Sequence, residues 1–225
     1  MINKLPRWVI AGGAVLAFVA GMINAIGYLG FRHQAVTHMT GTTSLLGIAA
    51  GQDNVRDMLH FGGLMLSFVL GCAASGLIIG DSTLRLGRRY GVALAIESAL
   101  LFAAVPLLHL QSDYGLWLAA AACGLQNAMA GTFSGAVVRT SHMSGIVTDL
   151  GTLLGQRMRG VAVDARRIRL YLVLFAGFLG GGAAAAFAYS PWQENALLLP
   201  ATLTGAVGVA YVIYRHRHVR KAHRV

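Results

Sequence analysis

Charge is absent from long stretches of this chain. Residues 8–31, 58–80, 114–138 and 170–193 each lack Asp, Glu, Lys and Arg. Each can cross the roughly 30 Å of a bilayer's hydrocarbon as a helix, which takes about 20 residues. Segments 90–112 and 195–214 have similar length and hold one acid between them, Glu97. Two further pieces, 36–51 and 141–156, fall short of the roughly 17 residues a span requires. Both open on hydroxyls and a histidine, and the second contains Asp149. The pattern predicts an all-α, polytopic membrane helix bundle that takes in residues 1–225 as a single membrane domain.

Composition strengthens that reading. The chain is 56 % hydrophobic and only 12 % charged, about half the charged share of a soluble domain. Met1–Arg7 followed by an apolar run imitates a secretory signal, but a cleavable signal core is about 7–15 residues, and this run is longer. It is expected to remain as the first helix. The 29 glycines suit close helix packing, which in lipid relies on small residues; Gly71, Ser75 and Ile79 on one face and the 177–182 run fit that use. Cys72 and Cys123 fall in apolar segments and read as small buried hydrophobes.

The chain also resembles itself. Gly21-Met22-Ile23-Asn24-Ala25 leads to Thr37-His38-Met39-Thr40-Gly41 and Leu46-Gly47. Gly124-Leu125-Gln126-Asn127-Ala128 leads to Ser141-His142-Met143-Ser144-Gly145 and Leu150-Gly151. Gly71 and Gly76 fall opposite Gly177 and Gly182 at a similar offset. A first repeat of 8–110 and a second of 114–214 follow, each with three long segments and one short one, before a basic tail at 215–225.

Charge asymmetry decides how the short segments sit, because cytoplasmic loops collect Lys and Arg. If all eight pieces crossed from a cytoplasmic N-terminus, 13 of the 18 Lys and Arg would lie inside. If the short pieces enter and leave on one side, 16 of 18 lie inside, with only Arg32 and Arg56 out. The second arrangement is favoured. It has six spans, both termini in the cytoplasm, and two repeats of three spanning helices plus one short re-entrant hairpin each. The repeats are inverted, so the hairpins approach each other near the midplane. Interrupted helices at the interface of inverted repeats are a recurring transporter plan.

The candidate chemistry lies in those hairpins. Thr37 or Thr40 in the first, and Ser141 or Ser144 in the second, are expected to cap the short helices. Two helix N-termini starting inside the membrane would aim free N–H groups and positive dipole ends at a shared cavity, favouring an anion or carboxylate. His38 and His142 could add hydrogen bonds or a proton, and Gly41 and Gly145 complete the two motifs. Equally, the histidines and hydroxyls could do no more than satisfy broken backbone. Asn24 and Asn127, expected mid-span, either line the cavity or bond the neighbouring hairpin. Asp149 and Glu97 are the intramembrane acids, and such groups are functional candidates by default.

The net charge of +10 comes largely from residues 157–169 and 215–224. Orientation and attraction to anionic lipid headgroups account for it, so the bilayer is the expected partner and nucleic acid is not. No P-loop, GxSxG, HExxH or dinucleotide fingerprint occurs. No metal or cofactor is implied, and an intramembrane enzyme using His38, His142 and Asp149 lacks an evident nucleophile.

The stretch Ala20-Gly21-Met22-Ile23-Asn24-Ala25-Ile26-Gly27, with Thr37-His38-Met39-Thr40-Gly41-Thr42 and Leu45-Leu46-Gly47, resembles the bacterial YoaK-like membrane proteins (domain of unknown function 1275). The resemblance covers nearly the whole chain and implies a membrane protein of about six spans, with no activity attached. The sequence thus leads to a multi-pass protein of the bacterial inner membrane, able to form a homo-oligomer. Its expected function is a small-solute transporter or channel with a midplane site. The alternative is a non-transport scaffold or regulatory protein whose polar hairpins are structural.

Overall fold

A computed structural model of the chain describes residues 7–80, 89–135 and 138–222. Lys4, Arg85, Arg88 and Arg224, part of the charge pattern above, lie outside the described residues. Within them every regular element is helical: α1 (Arg7–Leu29), α2 (Met39–Gly51), α3 (Val55–Ile79), α4 (Arg89–His109), α5 (Asp113–Ser134), α6 (Met143–Met158), α7 (Ala165–Trp192) and α8 (Leu198–Ala222), with a 3-10 turn at Gln193–Leu197. The eight apolar pieces of the sequence map one to one onto these helices. Among the described residues four helical stretches are long and apolar enough to cross a membrane: Trp8–Leu29, Val55–Ile79, Arg89–His109 and Ala165–Ile213. The last, at 49 residues, takes in α7, the turn and part of α8.

Local chemistry sets the ends. Asn54, Ser112 and Asp164 cap α3, α5 and α7, their side chains accepting from the N–H groups of Asp57, Tyr114 and Arg166. α5 stops at Gly135, whose φ of 63° places it in the left-handed region. That conformation costs glycine least, which is why C-terminal helix stops favour it.

α1 packs along α7, α3 along α5, and α4 between α5 and α8, while α2 leans on α3 and α6 on α7. α5 is the most enclosed, with Leu116, Ala120, Cys123, Leu125 and Met129 all buried. The two main pairings use the same device. A Cβ at Gly21 would overlap the carbonyl oxygen of Phe178, and one at Gly124 that of Phe68. A Cβ at Gly71 would overlap the carbonyl of Ala121, and one at Gly181 that of Phe18. Glycine packing therefore holds as expected, but the alignment changes. Contact partners match Gly71 with Gly181, not with Gly177, which sits against Ala14.

Polar contacts tie the helix ends together. At one end Arg32 donates to Asp113 through Nε and Nη2, both at 2.8 Å, and His60 Nδ1 lies 3.2 Å from the same carboxylate. His109 Nε2 meets Asn195 Oδ1 at 2.9 Å. Trp8 and Tyr90 pack on Phe133, with ring centroids 5.4 and 5.3 Å apart.

Candidate functional site

Beyond α1 the chain turns at Gly30–His33 and runs back along the helix it has left, with Gln34, Ala35, Val36 and Thr37 buried. Asn24 anchors this return: its Oδ1 accepts from Thr37 N at 3.1 Å and from Thr37 Oγ1 at 2.8 Å. Asn24 is five residues from the end of α1, about 8 Å along the axis at 1.5 Å per residue. It is therefore nearer the helix end than mid-span. The next residues start α2, which packs on α3.

The second hairpin is built alike but anchored differently. Thr140 donates to Gln126 Oε1 at 3.0 Å, so the residue beside Asn127 holds the loop. Asn127 Oδ1 is buried with no partner among the described residues.

The N-caps are not the hydroxyls expected from sequence. His38 and His142 occupy the cap positions, with φ, ψ of −92°, 69° and −89°, 60°, and neither side chain makes a cap hydrogen bond. The reason is conformational: each histidine is the last non-helical residue, so the hydroxyls on either side are out of register for capping. Thr37 Oγ1 is instead bonded to Asn24. Each imidazole lies over the third residue of its helix, Gly41 or Gly145, where a Cβ would collide with the ring. Those two glycines make room for the histidines.

Both helix starts open on one cavity of about 300 Å³. Its wall includes Asn24, Thr37, His38 and Thr40 from the first half and Asn127, Ser141, His142 and Ser144 from the second, with Phe68, Phe178, Tyr28 and Arg139. Eight predicted residues are brought together. Among the described residues no carboxylate is in the wall, while Arg139 and two helix N-termini, each equivalent to about half a positive charge, face it. A second recess of about 630 Å³ shares Arg139, His142 and Ser144 and extends to Gly145, Asp149, Arg167 and Tyr171. Asp149 is thus placed beside the cavity, 3.5 Å from the Arg167 guanidinium. Glu97 is elsewhere, buried among α4, α5 and α8.

Sequence reasoning did not single out Arg139, Phe68 and Phe178 in the wall, Gln126 and Thr140 behind it, or the Arg32–Asp113–His60 cluster. Phe68 and Phe178 stand three residues before Gly71 and Gly181, a repeat signal that was available.

Helical architecture throughout the described residues, stretches of membrane-crossing length and a polar cavity between the starts of two short helices define a membrane-type helical protein. The chain belongs to the family described as protein of unknown function DUF1275, whose family model matches residues 12–210. No curated protein matches the chain, and neither does any solved structure.

Proposed function

We propose that the chain is a transporter or channel for a small anionic solute, with its site in the cavity between α2 and α6. The observation that carries this is the meeting of two short-helix N-termini, each with its histidine, in one cavity of about 300 Å³ that Arg139 also lines and no carboxylate of the described residues does. A cavity of this size suits a small ligand, and unpaired helix-start N–H groups suit an anion.

In this reading the halves are inverted repeats in a bacterial inner membrane, with six crossings and both termini cytoplasmic. The reciprocal glycine contacts support the repeat. Two polar contacts support the six crossings. If α2 crossed fully, Arg32 and Asp113 would fall on opposite faces, and if α6 crossed fully, so would His109 and Asn195, yet both pairs touch. Basic loops would then meet anionic headgroups; neither nucleic-acid binding nor enzyme activity is part of the proposal.

Purified protein in liposomes, screened against small anions, tests it. A substrate should stabilise the protein on heating, and uptake should fall at least tenfold in His38→Ala and His142→Ala, about 1.4 kcal/mol of lost interaction. Full uptake of a true substrate by both variants would sink the cavity as the site. One observation favours the scaffold alternative: the Asn24 carbonyl is occupied by Thr37, as a structural role predicts. The absence of anion binding with normal folding would favour it.

A further inference from the structure

A second polar cluster runs through the seam of α4, α5 and α8. Glu97, Gln126, Thr140 and Thr204 are all 0 % exposed. Gln126 Nε2 donates to Glu97 Oε1 at 2.9 Å, and Gln126 Oε1 accepts from Thr140 Oγ1 at 3.0 Å. Thr140 is followed directly by Ser141 and His142 in the cavity wall. Two side chains, Gln126 and Thr140, thus join a buried acid to the second hairpin. Thr204 lies beside the carboxyl, yet neither its Oγ1 nor Glu97 Oε2 completes a hydrogen bond among the described residues.

Among the described residues no cation balances Glu97. From α5 it faces Gln126 and the Cys123 thiol, and from α8 Thr204. Among the described residues, α3 and the turn at 193–197 bring no charged group to it. Burying a charge without a partner is costly, and a glutamine at position 97 could accept the same bond without that cost. What the acid adds is the capacity to bind a proton.

We propose that Glu97 is the site of a proton that controls the second hairpin of the cavity. The carboxylate takes up one proton from solution on Oε2 and becomes the neutral acid, with no other bond made or broken. As a carboxylate, Oε1 holds Gln126 through a stronger, charge-assisted bond; as an acid it holds it less tightly. Gln126 passes that difference to Thr140, and so to Ser141 and His142. The first hairpin has no such tie, since Asn24 bonds Thr37 directly. Only the hairpin beside the Arg139–Asp149–Arg167 recess responds to the proton. Its role as a coupling ion rests on the transport reading above.

The test uses full-length protein in lipid nanodiscs carrying Ser144→Cys with Cys72→Ala and Cys123→Ala. Maleimide labelling is followed across pH with Glu97 present and with Glu97→Gln, and the ratio of the two rates removes the thiol's own titration. That ratio is expected to change by about fivefold or more, the lower end of ordinary coupling between sites. Gln126→Leu and Thr140→Val should each flatten it. In infrared spectra of the same samples, Glu97→Gln should remove a protonated-carboxyl band that Thr140→Val retains. A ratio constant with pH overturns the proposal, and so does the absence of any such band lost in Glu97→Gln. If Glu97→Gln does not fold, Thr140→Val against the parent gives the same labelling comparison. Neither readout needs a solute, so failure here leaves the transport reading standing, and absence of uptake leaves this proposal standing.

Discussion

Histidine is an uncommon helix cap, because the preferred residues place a short side-chain oxygen over the first-turn amides. His38 and His142 leave that position empty and turn their rings onto Gly41 and Gly145. Gly145→Ala should therefore displace the imidazole, visible as a shift in the His142 NMR signals. Global stability should change by less than about 1 kcal/mol, since alanine gains about that much helix propensity over glycine. An unmoved ring would refute the steric account. The interhelical glycines should behave differently. Gly181→Leu drives a side chain into the Phe18 carbonyl and should cost at least the roughly 1–3 kcal/mol typical of overpacking. Gly47 has open space around it, so Gly47→Ala should be neutral or slightly stabilising. Unfolding midpoints in detergent compare the two. At this scale the eight cavity residues were legible because they occur twice in one pattern. Gln126 and Thr140 were not: a single buried amide and hydroxyl carry no periodic signal, and their pairing is known only once α5 and the loop are placed.

Among the elements, the joint between the α1–α2 turn and the start of α5 is held by the Arg32–Asp113 ion pair with His60 beside it. Burial alone would push the Asp113 carboxyl up, but hydrogen bonds from Arg32, then the charges of His60 and Arg32, hold it below its ordinary range. Arg32 is in turn pushed above its ordinary value, chiefly by its hydrogen bonds to Asp113. A lowered carboxyl contributes stability that is present at neutral pH and lost as pH falls through its folded value. Asp113→Asn should therefore unfold more easily than the parent at neutral pH, with the gap closing in acid. A gap independent of pH would show that the charge is not what matters. Helix extents at this scale followed closely from the apolar runs, because burial in lipid acts on each segment separately. The caps of α2 and α6 did not follow, because they depend on where the backbone leaves the helical region.

For the whole molecule, the joined ends make a geometric prediction. Residues 52–57 should be accessible from outside the cell and residues 81–89 from the cytoplasm, as read by impermeant thiol reagents on single-cysteine variants. The reverse result for either loop would overturn the inverted arrangement. The sequence by itself determined the number and extent of the apolar helices, the family, and the matched polar hairpins. Hydropathy and self-similarity are properties of local segments, so one chain suffices to read them. Only the tertiary structure decided that the two short helices open on one cavity, that Asp149 pairs with Arg167 beside it, and that Glu97 is linked to its second hairpin through Gln126 and Thr140. Those relations join residues far apart in the chain, and they exist only where glycine contacts bring α1 to α7 and α3 to α5. The two histidine hairpins were visible from the start; what they share became visible only when the helices between them were packed.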